Sequence, residues 1–142
     1  MSPALVLHEH LEKRFNLYIS SDERGLKFIN FEKYKLFVIK TPIFFKNYFL
    51  LPLKIIKILI LTIKSLFYIK RKKIDLVIST GGYAPVPICL AALILKKKLY
   101  LYEPNYVIGK SNRFFLPYCH KILCHSKKLK KYLKKFKNKI LL

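Results

Sequence analysis

Two adjacent glycines, Gly81-Gly82, stand between the apolar run Leu76-Val77-Ile78 and a stretch with helical character, and Tyr83 follows them. Paired glycines at a strand-to-helix junction let the backbone approach a ligand closely. The helix behind them offers amide N–H groups and a partial positive charge, which suits a phosphate or diphosphate. The alternative is a tight turn with no ligand. A second candidate group is Leu101-Tyr102-Glu103-Pro104-Asn105. Glu103 is one of only seven carboxylates in the chain. Just past an apolar strand, it could accept hydrogen bonds from sugar hydroxyls, orient a neighbouring base, or simply pair with a lysine. Asn105 both donates and accepts, as a sugar or uridine site requires, or it is a turn residue. Seven positions on, Asn112 lies in the helix-opening run Gly109-Lys110-Ser111-Asn112.

A third feature is physical rather than chemical. Phe44, Phe45, Tyr48, Phe49 and Leu50 lead into Leu53-Lys54-Ile55-Ile56-Lys57, with Lys64 closing the run. A bilayer span needs about twenty apolar residues. Here Lys57 and Lys64 leave only six uncharged positions between them. The spacing of Lys54, Lys57 and Lys64 puts the three on one helix face, with the other faces almost wholly apolar. Such a helix is expected to lie in a membrane interface, lysines at the phosphates and aromatics in the acyl boundary. The competing reading is a helix buried by a partner.

The formal charge is +22, from 29 basic and seven acidic residues. Only Arg14, Arg24, Arg71 and Arg113 are arginines. A lysine excess beside abundant Ile, Phe and Tyr is also what AT-rich codons impose, so the charge reads either as solvated faces or as attraction to an anionic surface. Nucleic acid is the lesser candidate for that surface and is not expected as a partner. The lysine-rich stretch 127–136 carries only Tyr132 among its lysines before Phe136, whereas single-strand binding interleaves aromatics with charge. Cys89, Cys119 and Cys124 fit a reducing compartment. Cys119-His120 and Cys124-His125 match no familiar zinc spacing, so neither a metal nor a cofactor is expected.

Strand and helix patterns alternate along all 142 residues, which are enough for one domain with a core. Ser2-Pro3 opens a helix over 3–13. Phe15–Ser20 reads as a strand, Asp22 caps a short helix over 23–31, and Lys35–Thr41 is a strand closed by Pro42. A long helix spans 46–70, a strand Ile74–Thr80, and a helix 86–96, with Pro85 and Pro87 suited to its first turn. Leu99–Tyr102, Lys121–Cys124 and Lys139–Leu142 read as strands, 109–117 and 127–136 as helices. Short apolar strands each followed by a helix predict an α/β, Rossmann-like parallel sheet with helices on both faces. Ligands of such sheets bind at the carboxyl ends of the strands, where all three candidate groups fall. The chain opens on a helix with no strand before it and closes on an apolar run, so the first strand is expected to be missing and 1–142 to be one incomplete domain.

These blocks resemble the MurG-type UDP-N-acetylglucosamine transferases of peptidoglycan synthesis. Ser2-Pro3-Ala4-Leu5 through His10-Leu11 is similar to the helix after that family's GGTGGH loop, and Asp75 through Tyr83 to its second glycine loop, with Leu90-Ala91-Ala92 in the helix behind. Glu103-Pro104-Asn105, Gly109 and Asn112 resemble its H-E-x-N…G…N block, and 44–64 falls where the family places its membrane patch. The resemblance implies the amino-terminal, acceptor-side domain of a GT-B enzyme, peripheral on the cytoplasmic face of the plasma membrane. Gly81, Gly82 and Tyr83 would meet the undecaprenyl-linked acceptor. Asn105 would reach the UDP-N-acetylglucosamine donor, and Glu103 and Asn112 would shape the same cleft. The family's candidate base histidine would precede Met1, and His8 and His10 do not replace it. Tyr102 stands for the usual histidine and Pro104 for a polar residue. With no donor domain, the chain alone is expected to be inactive. Two other readings stay open: a non-catalytic membrane subunit that pairs with a separate donor-domain chain, and a basic nucleic-acid-binding protein.

Overall fold

The computed structural model describes residues 3–26, 33–42, 51–124, 126, 129, 131 and 133–141. The described chain divides into two compact units, Met1–Lys40 and Thr41–Leu142.

In the first unit, α1 (Pro3–Leu11) precedes β1 (Ile19–Ser21), α2 (Glu23–Leu26) and β2 (Leu36–Val38). The strands pair in parallel with Ile19 opposite Leu36 and Ser21 opposite Val38. Leu5 of α1 is buried with Ile19, and Tyr34 and Leu36 pack against them, so the apolar side of α1 covers the strand pair. Asp22 caps α2 as its position predicts, its Oδ1 accepting from Gly25 N–H at 3.0 Å. The strand expected over 15–20 is observed only over Ile19–Ser21; before it, Asn16 Nδ2 donates to the Tyr18 hydroxyl, and Lys35 Nζ to Asn16 Oδ1. Of the helix over 23–31, positions 27–31 lie outside the described residues.

The second unit runs α3 (Leu51–Arg71), β3 (Leu76–Ser79), α4 (Val86–Ile94), β4 (Lys98–Glu103), α5 (Lys110–Phe115), β5 (Lys121–Cys124), a 3-10 helix (Lys134–Lys139) and β6 (Ile140–Leu141). Its four strands form one parallel sheet in the order β3-β4-β5-β6. Strict sequential order follows from each short crossover returning beside the strand it left. Leu99, Leu101 and Ile122 are fully buried in the sheet, and Ile88, Cys89, Ala91 and Ala92 of α4 are buried as well. α3 packs along α4. Its buried residues, Ile58, Thr62, Ser65 and Ile69, recur at three- and four-residue intervals. Thr62 and Ser65 are tolerated there because each hydroxyl donates back to its own helix, to the carbonyls of Ile58 and Leu61 at 2.8 Å.

Both helices end alike. The Ile74 N–H reaches Ile69 O and Lys73 N–H reaches Lys70 O; Lys97 N–H reaches Ala92 O and Lys96 N–H reaches Leu93 O. This is the Schellman pattern, and its left-handed residues are lysines, Lys73 and Lys96, each at φ 52°. The basic stretch expected as a helix over 127–136 is described in part only: 129 and 131 are helical, and the chain then tightens into the 3-10 turn. Lys139 at that turn's end has a packing role, donating to the carbonyls of Pro117 at 2.7 Å and Leu116 at 3.4 Å, which lie just past α5.

Candidate functional site

The site lies at the carboxyl ends of β3 and β4. At the end of β3, Gly81 and Gly82 both have positive φ, 84° and 79°. An L side chain rarely adopts that conformation, so glycine is required at both positions by the backbone itself. They differ in what surrounds them. A Cβ on Gly81 would sit 3.3 Å from Asn112 Nδ2, while no described atom lies within 4 Å of one on Gly82. Ser79, fully buried at the strand end, accepts the Gly81 N–H on its hydroxyl at 3.3 Å. Tyr83 is half-buried, and its carbonyl accepts from Val86 N–H at 3.2 Å. That bond corrects one expectation. With Val86 engaged, and with Pro85 and Pro87 having no N–H, the start of α4 offers few donors for a phosphate.

The β4 end is built around one carboxylate. β4 runs one residue further at each end than expected, so Glu103 is its last residue rather than the first beyond it, and it is 2% exposed. Its Oε1 accepts from Asn105 N–H at 3.2 Å and Asn105 Nδ2 at 2.9 Å. Its Oε2 accepts from Gly109 N–H at 2.9 Å and Asn112 Nδ2 at 3.0 Å. Four N–H donors from a loop and a helix start satisfy both oxygens, so this buried carboxylate is stabilised without a lysine partner in the described network. Glu103 therefore closes the 104–109 loop onto the strand. The loop's exposed apex is Tyr106-Val107, and Ile108 is buried beneath it.

Asn112, two residues into α5, joins the two strand ends. It is fully buried, donates from Nδ2 to the Tyr102 carbonyl at 3.1 Å as well as to Glu103, and lies against Gly81. The candidates at 81 and at 103–105 are thus brought together through it. Their closeness was implied only by both falling at strand carboxyl ends. The linking role of Asn112, and that of Ser79, gave no separate signal in the sequence beyond the seven-residue spacing. Asn105 itself is exposed at the lip.

Phe44, Phe45, Tyr48, Phe49 and Leu50 lie outside the described residues. The helix they lead into has a wide exposed apolar face: Leu53, Ile55, Ile56, Leu59, Ile60, Ile63 and Phe67, the last 71% exposed. Lys57 and Lys64 are exposed beside it and Lys54 is half-buried. No partner helix covers this face in the described structure. Among the described residues no helix is long and apolar enough to cross a membrane. The cysteines are buried and unbridged. Burial pushes the Cys89 thiol up to about 12, and Cys119 Sγ donates to the Leu116 carbonyl at 3.2 Å. Both sulfurs therefore act as packing atoms.

Comparison with known proteins identifies the fold and the family. The crystal structure of Acinetobacter baumannii MurG superposes with a TM-score of 0.75 over 89% of this chain and 38% of that one, at 22% identity, which identifies an α/β, Rossmann-like half of a larger fold. Residues 1–124 match the glycosyltransferase family 28 N-terminal domain, and the chain belongs to that family. The chain is 47% identical over 138 residues, 97% of its length, to the UDP-N-acetylglucosamine–N-acetylmuramyl-(pentapeptide) pyrophosphoryl-undecaprenol N-acetylglucosamine transferase of Pelagibacter ubique. It is 35% identical over 139 residues to the protein of the same name in Prochlorococcus marinus. It spans 39% and 37% of those two relatives.

Proposed function

We propose that this chain is the acceptor- and membrane-binding half of a transferase that moves N-acetylglucosamine from UDP-N-acetylglucosamine to undecaprenyl-diphospho-muramoyl-pentapeptide. The observation that carries the reading is the position of Asn112, which donates to Glu103 while its Nδ2 stands 3.3 Å from where a Cβ on Gly81 would lie. It makes one cleft wall from a glycine loop and an amide-bearing loop at the carboxyl ends of adjacent parallel strands, the position where such sheets take ligands. The names of the relatives supply the substrates.

In this reading the Gly81-Gly82-Tyr83 loop meets the lipid-linked acceptor and Asn105 meets the donor sugar. The acceptor's muramyl 4-hydroxyl loses its proton to a base and attacks the anomeric carbon with inversion, and UDP leaves. The carboxylate of Glu103 is already occupied by four donors, so it fixes the loop and does not take that proton. In this reading the base and the sugar-nucleotide domain are not among the residues of the described site, and residues 1–142 by themselves are expected to transfer no sugar. The exposed apolar face of α3 with its flanking lysines fits peripheral attachment to an anionic membrane, on the cytoplasmic face where the nucleotide sugar is available. Each Leu, Ile or Phe moved from water into the acyl boundary would contribute about 1.5–3 kcal/mol.

A chimera tests the assignment. The segment of the Pelagibacter ubique relative that aligns with residues 1–142 is replaced by this sequence, and transfer of labelled N-acetylglucosamine to the lipid acceptor is measured. The reading predicts that the chimera transfers sugar and the isolated chain does not. A folded chimera with no transfer, beside an active parent, would refute it.

A further inference from the structure

We propose that Glu103 is a positioning residue that fixes which way the carboxamides of Asn105 and Asn112 face, so that the lip of the cleft presents the Asn105 carbonyl oxygen and takes a ligand through its hydroxyl or amide N–H groups. An asparagine side chain has one donor end and one acceptor end, and only its surroundings decide which end is offered. Here the decision is unambiguous. Asn105 Nδ2 lies 2.9 Å from Glu103 Oε1, and Asn112 Nδ2 lies 3.0 Å from Oε2 and 3.1 Å from the Tyr102 carbonyl. Turning either amide over would set oxygen against one acceptor in the first case and two in the second.

The consequence is that both Oδ1 atoms are left over. Asn112 Oδ1 is buried beside Gly81 with no hydrogen-bond partner among the described residues. Asn105 Oδ1 is carried at the exposed lip. Asn112 Oδ1 is enclosed, so of the two acceptors the one offered to a ligand is that of Asn105 at the lip, which suits a donor-bearing group rather than the oxygens of a phosphate. A pyranose ring, with hydroxyls and an acetamido N–H, has that chemistry. This inference rests on the transferase reading for the identity of the ligand, and on the geometry alone for the role of Glu103.

The test is NMR of the side-chain amides in the intact 142-residue chain. Solvent exchange of the Asn105 and Asn112 –NH2 groups is expected to be at least tenfold slower than that of the exposed Asn138. Glu103→Gln places an –NH2 against two donors, so it should release at least one of the two amides, raising its exchange at least tenfold. N-acetylglucosamine should shift the Asn105 side-chain signal in the wild type, inorganic phosphate should not, and Glu103→Gln should cut the sugar-induced shift at least fivefold. Glu103→Asp, which keeps the acceptors, should partly restore it. Unchanged amide exchange in a folded Glu103→Gln variant would overturn the proposal. If that variant does not fold, wild-type exchange at Asn105 as fast as at Asn138 would overturn it equally. Released amides with no wild-type response to the sugar would uphold the positioning role and overturn the sugar as the ligand of this wall.

Discussion

At the scale of single residues, the two glycines of the β3 loop carry different constraints, and substitution separates them. Alanine at either position must adopt a left-handed backbone, which costs about 1–2 kcal/mol. Only at Gly81 does the new methyl also meet a neighbour, Asn112 Nδ2 at 3.3 Å, and that neighbour is fully buried and held by two acceptors. Gly81→Ala is therefore expected to cost more than Gly82→Ala, by about 1 kcal/mol, in denaturant unfolding. Equal destabilisation would mean that Asn112 gives way freely and does not tie the loops. The sequence pointed to Gly81, Gly82, Glu103, Asn105 and Asn112 by residue type and by position at strand ends. The bonding among them was not legible there. A carboxylate at the end of a strand can serve a ligand, a lysine or its own loop, and only the folded path of 104–109 brings Gly109 N–H and Asn112 back to it.

At the scale of elements, β5 matches its expected span, and the other second-unit strands differ from theirs by two residues or fewer at each end, because short apolar runs between helical patterns have few other ways to bury themselves. The first unit was less legible. Its strands shrink to three residues each, and the polar side chains of Asn16, Tyr18 and Lys35 near their starts bond to one another. The ends of α3 and α4 show what composition does to local structure. A Schellman turn favours glycine at its left-handed position, yet this lysine-rich, glycine-poor chain places Lys73 and Lys96 there. Lys73→Gly and Lys96→Gly are each expected to stabilise the fold by about 0.5–1 kcal/mol, read as a Tm rise of roughly 2–4 °C. The entropy that glycine adds to the unfolded chain offsets part of the gain. Alanine at the same positions should bring no such rise.

At the scale of the whole molecule, the charge of +22 and the bare apolar face of α3 act together. On the proposed reading, diffuse lysine charge would draw the chain to an anionic surface, an attraction expected to weaken with salt over a Debye length of about 8 Å at physiological ionic strength. The apolar face gives that attraction a depth that simple counter-charge lacks. Neither would distinguish a lipid substrate from a lipid surface, a task that the proposed reading gives to the two loops joined by Asn112. Vesicle sedimentation makes the distinction. Binding of the chain is compared on anionic vesicles with and without undecaprenyl-diphospho-muramoyl-pentapeptide, using the wild type and Gly81→Ala. The account predicts tighter binding to the loaded vesicles, an increment lost in Gly81→Ala while binding to bare vesicles is unchanged. Equal binding of the wild type to loaded and bare vesicles would contradict it.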